Sequence, residues 1–273
     1  MATFYKIAII GGGNLGSSIA KGILSLDNFS KENVLICEKR KPRVKYLEDQ
    51  GFNVIDSDLE KTVHNADIII VSVKPQQFLK LLEEFKPIIK PGQILVSTVT
   101  GITLQEIELV FGKHPIVRIM PNTAIEIRES MTCLCFSNTS KNQEDSIISL
   151  FDQLGHTLQL QEELLDAVTV LGACGIAFAL RFIRAAAQGG IEIGFSAEIS
   201  QFIVSQTVKG AAGLLLENSS HPEAEIDKVT TPQGITISGL NEMEHQGFSS
   251  SVIKGLITSY NKLTLLENNN INP

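Results

Sequence analysis

Three glycines near the N-terminus constrain this chain more than any other feature. Tyr5 to Ile10 is a short apolar run, too short for a helix, and it ends in Gly11-Gly12-Gly13-Asn14-Leu15-Gly16. Leu15, Ile19, Ile23 and Leu26 then recur at spacings of four and three, the period of a helix that buries one face. A strand, a Gly-x-Gly-x-x-Gly turn and a helix in that order are the context the dinucleotide fingerprint requires. Gly11 allows the tight turn, Gly13 lets the backbone approach a pyrophosphate, and Gly16 lets the helix pack close to the strand. The helix start, with Asn14 and Leu15 in its first turn, offers unpaired N–H groups to the phosphates.

The same alternation continues down the chain. Val34–Cys37, Ile68–Val73, Ile94–Ser97, Ile116–Ile119 and Met131–Phe136 read as further strands. Ile68–Val73 is apolar at every position, as a parallel strand covered on both faces must be. Residues 142–154 read as a helix closed by Gly155. Strands alternating with helices predict an α/β fold built on a doubly wound parallel sheet.

After about residue 161 the texture changes, and no run beyond it looks like a strand. Leu164–Gln188 is a long helix candidate rich in Gly and Ala; through Leu171–Phe182 its only charged residue is Arg181. A helix that is apolar all round must be covered, and a partner subunit is the natural cover for so small a unit. Further helices are expected at Ala197–Leu216, with Ser196 as N-cap, at Ile235–His245 and at Ser250–Leu266, followed by a polar, frayed tail Asn268–Pro273. The boundaries are therefore residues 1–161 for a dinucleotide-binding domain and 162–273 for an all-α domain.

Composition narrows the class. A length of 273 residues suggests two domains at roughly 150 residues each. Hydrophobic residues make up 43%, enough for a sizeable core, and the formal charge is −7, a poor match to nucleic acid. The start lacks a basic signal-peptide region, and no uninterrupted apolar run approaches a bilayer span. The four cysteines, Cys37, Cys133, Cys135 and Cys174, complete no metal-ligand pattern and read as reduced thiols, with Cys133 and Cys135 on the same side of a strand. The five histidines are scattered and read as surface or capping residues. A soluble cytoplasmic enzyme without metal, nucleic acid or membrane is expected.

The strand ends supply the candidate cofactor contacts. About 20 residues past the last glycine, an acid reads the 2′-hydroxyl of NAD, whereas a cation accommodates the phosphate of NADP. Here the sequence is Cys37-Glu38-Lys39-Arg40-Lys41. Glu38 points to NADH and the three cations, Lys39 and Arg40 first, point to NADPH, so NADPH is the preferred expectation and NADH stays open. Val73, Lys74 and Pro75 end the third of these apolar strands, Thr100 follows the fourth, and Asn122 follows the fifth; all are expected along the same crevice.

The segment Thr231-Pro232-Gln233-Gly234-Ile235-Thr236-Ile237 resembles the signature S-P-G-G-[TA]-T-I of the pyrroline-5-carboxylate reductase family. His221-Pro222, Glu244-His-Gln-Gly-Phe248, Val73-Lys74-Pro75-Gln76 and Met120-Pro121-Asn122-Thr123 are similar to the family in the same register, so the resemblance covers nearly the whole chain. It implies a Rossmann-type sheet followed by a helical dimerisation domain, a homodimer that in some members assembles further, and reduction of the cyclic imine 1-pyrroline-5-carboxylate to L-proline with NAD(P)H, the last step of proline biosynthesis. It also implies that Thr231, Gly234, Ile235 and Thr236 bind the substrate, with the Thr236 hydroxyl on the ring nitrogen as the catalytic contact. Thr231-Pro232 reads as a helix start, with backbone N–H groups of residues 234–236 around the carboxylate.

The chain departs from the pattern. Gln233 replaces a Gly, Ile235 a Thr or Ala, and in the long helix Ile176 and Phe178 replace the family's Pro and Tyr. Two other readings compete. A β-hydroxyacid or imine-reducing oxidoreductase of the same plan would carry a lysine on the long helix, and none occurs between Leu164 and Ile191. A non-catalytic dinucleotide-binding regulator would have no use for Thr231–Ile237.

Overall fold

The centre of the sheet is made of runs of Ile, Val and Leu that no solvated strand would carry. In the computed structural model, which describes residues 5–271, eight strands form one sheet: β1 (Ile7–Ile10), β2 (Val34–Glu38), β3 (Val54–Asp56), β4 (Ile68–Val71), β5 (Ile94–Ser97), β6 (Ile116–Met120), β7 (Ser130–Ser137) and β8 (Gly155–Gln159). Their order is β3-β2-β1-β4-β5-β6-β7-β8. All pairs are parallel except β6 with β7, which is antiparallel because only the short turn Thr123–Ile127 and its flanks connect them.

Side chains alternate between two cores. Ile7, Ile9, Ile36, Ile68 and Ile70 pack on one face under α1 (Asn14–Leu24), with Leu47 of α2 (Lys41–Asp49) and Phe151 of α6 (Lys141–Asp152) on the same side. Ala8, Ile10, Ile69, Val71 and Leu95 pack on the other face. Their cover comes from α3 (Leu59–Val63), α4 (Pro75–Phe85) and α5 (Leu104–Phe111), through Val63, Phe78, Leu82, Phe85 and Ile107. Cys133 and Cys135 belong to this second core, as their spacing on a strand predicts, and all four cysteines are free.

Three local expectations are corrected. β3 and β8 escape the apolar-run criterion: they end the sheet and are partly exposed. Gly155 does not close α6, which ends at Asp152; it opens β8 with φ +141, where a Cβ would run into the backbone of Ser130. His114 is not a surface residue: it is buried beside Phe111, and burial holds its pKa below the usual histidine value.

The run Glu162–Glu192 is one 31-residue helical stretch, long and apolar enough to cross a membrane by length and composition alone. It comprises a turn at Glu162–Leu164, α7 (Leu165–Val168), a π-helical segment Thr169–Cys174, and α8 (Gly175–Glu192). The widened turn ends at Cys174, and Ile176, where the family pattern carries a Pro, already lies in the regular helix α8. Asn122 Nδ2 donates to the Gly172 carbonyl at 3.4 Å, giving the irregular turn an outside partner.

The described residues divide into two compact units, one of residues up to Ile176 with the segment from Tyr260 onward, the other Ala177–Ser259. Within the second unit, α8 and α9 (Ala197–Asn218) cross where Ser200 Oγ donates to the Ala187 carbonyl at 2.7 Å, an approach that needs Gly190 because a Cβ there would strike Ser200. Ser196 caps α9 as expected, accepting from the Ile199 N–H. α10 (Pro222–Val229) is capped by His221 Nδ1. α11 (Ile235–His245) and α12 (Phe248–Ile271) follow, with Phe248 edge-on to Phe182 at 6.1 Å. α12 carries the backbone through the polar residues from Asn268 to Ile271; residues 272–273 lie outside the described residues. Leu180, Phe202, Ile203, Leu214, Ile253 and Ile257 are all exposed in the single chain.

Candidate active site

The strand order reverses between β1 and β4, and ligands of such sheets bind at the carboxyl ends of the strands flanking that point. Gly11 leaves β1 with φ +103, and a Cβ on it would collide with the Ser72 carbonyl just past β4. Gly16 lies so close to the Gly11 carbonyl that any side chain would displace it. Gly13 differs from both: a Cβ there meets nothing within 4 Å. Its φ of −66 suits any residue, so the protein itself does not require a glycine there. A glycine there leaves the backbone open to a molecule that approaches it closely. Gly13 caps α1 without a side-chain hydrogen bond, and no acid stands in the first turn, so the N–H groups near Asn14 and Leu15 face an open cradle.

The parallel pairing of β1, β4 and β5 brings the other predicted contacts to this edge. Val73 flanks Gly11, Lys74 is the exposed N-cap of α4, and Pro75 is its first residue. Thr98 ties β5 to β4 by donating through Oγ1 to the Val71 carbonyl at 3.2 Å, leaving Thr100 half-buried beyond it. Asn122 sits at the end of β6 with its side chain committed inward: Oδ1 accepts from the Ala124 N–H at 3.0 Å, while Nδ2 reaches Gly172.

At the end of β2, Glu38 is buried, and Arg40 takes hold of both its oxygens. Arg40 Nε and its own backbone N–H donate to Oε1 at 3.0 and 2.9 Å, and Nη2 donates to Oε2 at 2.9 Å. Burial pushes the Glu38 pKa up, but the Arg40 hydrogen bonds outweigh it and hold the carboxyl below its ordinary value. Lys39 is exposed beside this pair. Arg43 was missed by the sequence reading; its guanidinium folds back onto the carbonyls of Gly12 and Gly13. No local spacing signals that contact.

The predicted substrate segment lies on the other unit and is self-contained. Thr231-Pro232-Gln233-Gly234 is a tight turn closed by the Gly234 N–H on the Thr231 carbonyl at 2.9 Å. Gln233 has φ +59, in the left-handed region that favours glycine, and Gly234 packs so close to Thr231 that a Cβ would crowd its hydroxyl. Thr231-Pro232 is thus not a helix start. The helix begins at Ile235 with Gly234 as an uncapped N-cap, because Pro232 takes the second position of a turn that demands positive φ at the third. Thr236 stands in the first helical turn, half-buried, and Ile235 is 92% exposed.

Comparisons with known proteins give this geometry its family. A family model described as pyrroline-5-carboxylate reductase dimerisation matches residues 162–266, and one described as NADP oxidoreductase, coenzyme F420-dependent, matches residues 6–101. Pyrroline-5-carboxylate reductase 2 of Dictyostelium discoideum is 40% identical in an alignment that covers 94% of this chain and 91% of that protein. The chain belongs to the pyrroline-5-carboxylate reductase family. Pyrroline-5-carboxylate reductase 1 of the same organism is 44% identical over 95% of this chain, which spans 49% of that longer relative. Among solved structures, Plasmodium falciparum pyrroline carboxylate reductase with NADP bound superposes with a TM-score of 0.85 at 26% identity, covering 96% of this chain and 98% of that one. The enzyme from Streptococcus pyogenes gives 0.82 at 29%, covering 95% and 98%.

Within this reductase family the open cradle at Gly13 and the uncapped start of α1 fit a nicotinamide dinucleotide. The stretch from residue 162 matches the family model described as dimerisation, and it carries aliphatic and aromatic side chains left uncovered in the single chain.

Proposed function

We propose that this chain reduces 1-pyrroline-5-carboxylate to L-proline, with NADPH as the preferred donor. The observation that carries this reading is the presence, in one reductase-family chain, of a glycine cradle open to a ligand and of a signature turn that holds no ionisable group. Residues 1–161 bind the nucleotide, and residues 162–273 bind the imine and form the homodimer, with further assembly of dimers. The workplace is the cytoplasm.

The bound nicotinamide supplies a hydride for the carbon of the substrate's C=N bond. A protonated imine is already an electrophile, so the protein need not furnish a strong acid, and its contribution is placement. Gly11, Gly13 and Gly16, with the N–H groups at Asn14 and Leu15, hold the pyrophosphate; Val73, Lys74, Pro75 and Thr100 line the rest of the crevice. Asn122 acts from behind it, by holding the backbone of the β6 end. The turn at Thr231 and the N–H groups of Gly234, Ile235 and Thr236 take the carboxylate, which the dipole of α11 favours. The Thr236 hydroxyl takes the ring nitrogen. Lys39 and Arg40 supply the positive field for a 2′-phosphate, and a Glu38 whose oxygens Arg40 already occupies is a poor acceptor for the 2′-hydroxyl of NADH.

Oxidation of NADPH or NADH in the presence of 1-pyrroline-5-carboxylate tests the reading. Turnover with both, at a higher kcat/KM for NADPH, is expected; binding of both cofactors without turnover of either refutes it. Thr236→Ala is expected to lower kcat/KM for the imine roughly ten- to hundredfold, the worth of a hydrogen bond to a charged group, and to leave the Kd for NADPH unchanged. A wild-type rate in that variant removes the hydroxyl from the mechanism.

A further inference from the structure

Arg43 stands in the first turn of α2 and reaches back across the nucleotide edge. Its Nε donates to the Gly12 carbonyl at 2.6 Å, and its Nη2 donates to the Gly13 carbonyl at 3.2 Å and to Ser17 Oγ at 2.9 Å. The guanidinium carbon lies 4.7 Å from the centre of the Tyr46 ring, which holds the group from one side. A guanidinium has five N–H groups. Three are committed to the glycine loop and the start of α1; the two on Nη1 have no partner among the described residues.

The location of that free edge is informative. Gly12, whose carbonyl anchors Arg43, packs against the end of β2: a Cβ on it would lie 3.4 Å from Glu38 Cβ and 3.2 Å from Ile36 Cγ2. The end of β2 is where the adenosine ribose is read in a sheet of this topology. Arg40 is also there, but it is occupied with Glu38 and its side chain is 61% exposed. Arg43 is half-buried and fixed at three points, so it loses little freedom when it takes a ligand. Its charge also covers two carbonyl oxygens that would otherwise repel an approaching anion.

We propose that Arg43 determines cofactor specificity in this chain, its Nη1 edge donating to the 2′-phosphate of NADPH while its other nitrogens hold the glycine loop. This rests on the NADPH reading above. It gives Arg43 two separable tasks. Bracing the loop serves NADPH and NADH alike; pairing with the 2′-phosphate serves NADPH alone.

The test is direct binding, read without substrate. Kd values for NADPH and NADH are measured on the full chain for wild type, Arg43→Met and Arg43→Lys, with thermal unfolding as the folding control. Arg43→Met is expected to weaken NADPH roughly ten- to hundredfold, the range for a charge-assisted hydrogen bond, and NADH much less. Arg43→Lys keeps a point charge but not the fork, and is expected to fall between. Equal weakening of both cofactors, or weakening of neither, overturns the proposal while leaving the NADPH reading in place. A wild-type chain that binds NADH as tightly as NADPH defeats both together. Failure of imine turnover defeats only the proposed reaction, since the binding ratio does not depend on it. If Arg43→Met fails to fold, Arg43→Lys decides: a lowered preference for NADPH supports the assignment and an unchanged one overturns it.

Discussion

Arg118→Met is expected to destabilise the protein by about 3 kcal/mol, the low end of the cost of removing one partner from a buried ion pair. Arg118 lies on β6 with only 3% of its surface exposed. Its Nη1 pairs with Glu162 Oε1, and its Nη2 faces Asp166 Oδ1 at 3.9 Å, with neither of those last two atoms otherwise hydrogen-bonded. Glu162 also accepts from the Leu104 N–H at 2.6 Å, at the start of α5. The arginine therefore fixes the first turn of the long helix to the sheet. Methionine fills most of the volume but leaves two carboxylates, each about a quarter exposed, without their cation. That residual exposure keeps the cost at the low end. Thermal unfolding at fixed protein concentration should show a fall of roughly 5–10 °C. Adding Glu162→Gln should recover part of the loss, because the amide oxygen still serves Leu104 and one stranded charge is gone. A single variant as stable as wild type would show that the cluster contributes nothing.

The second large effect separates glycines that the fold needs from the one that the ligand needs. Gly16→Ala should unfold or severely destabilise the chain, since the new methyl would displace the Gly11 carbonyl in a buried turn. Gly13→Ala should melt within about 2 °C of wild type, because its Cβ enters open space at an ordinary φ. Yet Gly13→Ala should lose NADPH affinity by roughly tenfold or more, the methyl standing where a pyrophosphate must touch the backbone. Calorimetric melting and cofactor titration on the two variants check both halves. Unimpaired binding by Gly13→Ala would remove this loop from the nucleotide site.

Legibility of the fold follows burial. β1, β4 and β5 could be read from sequence because both their faces are covered, which leaves an apolar run, and β6 shows the same pattern with Arg118 as its one charged interruption. β3 and β8 could not, because an end strand of few residues with a solvated side carries no such run. The direction of β7 is equally silent: Met131–Phe136 would look the same parallel or antiparallel. At the site, the glycine fingerprint was legible since each glycine has a local reason. The turn at Thr231 was misread for a physical cause, as proline's fixed φ suits both the first helical residue and the second turn residue. Arg43 left no trace at all. Its contact with Gly12 spans 31 residues of chain and exists only once β1 and β2 lie side by side.

The uncovered faces of α8, α9 and α12 bear on how the enzyme comes into being. In the proposed homodimer, a newly made chain exposes Phe202, Ile203, Leu214 and Ile257 until it meets a second one, and that meeting is second order in chain number. At low expression, the paired species grows with the square of synthesis, and unpaired chains are left as sticky intermediates for quality control to remove. Doubling the gene's output should therefore more than double the active enzyme, until pairing saturates and the response becomes proportional.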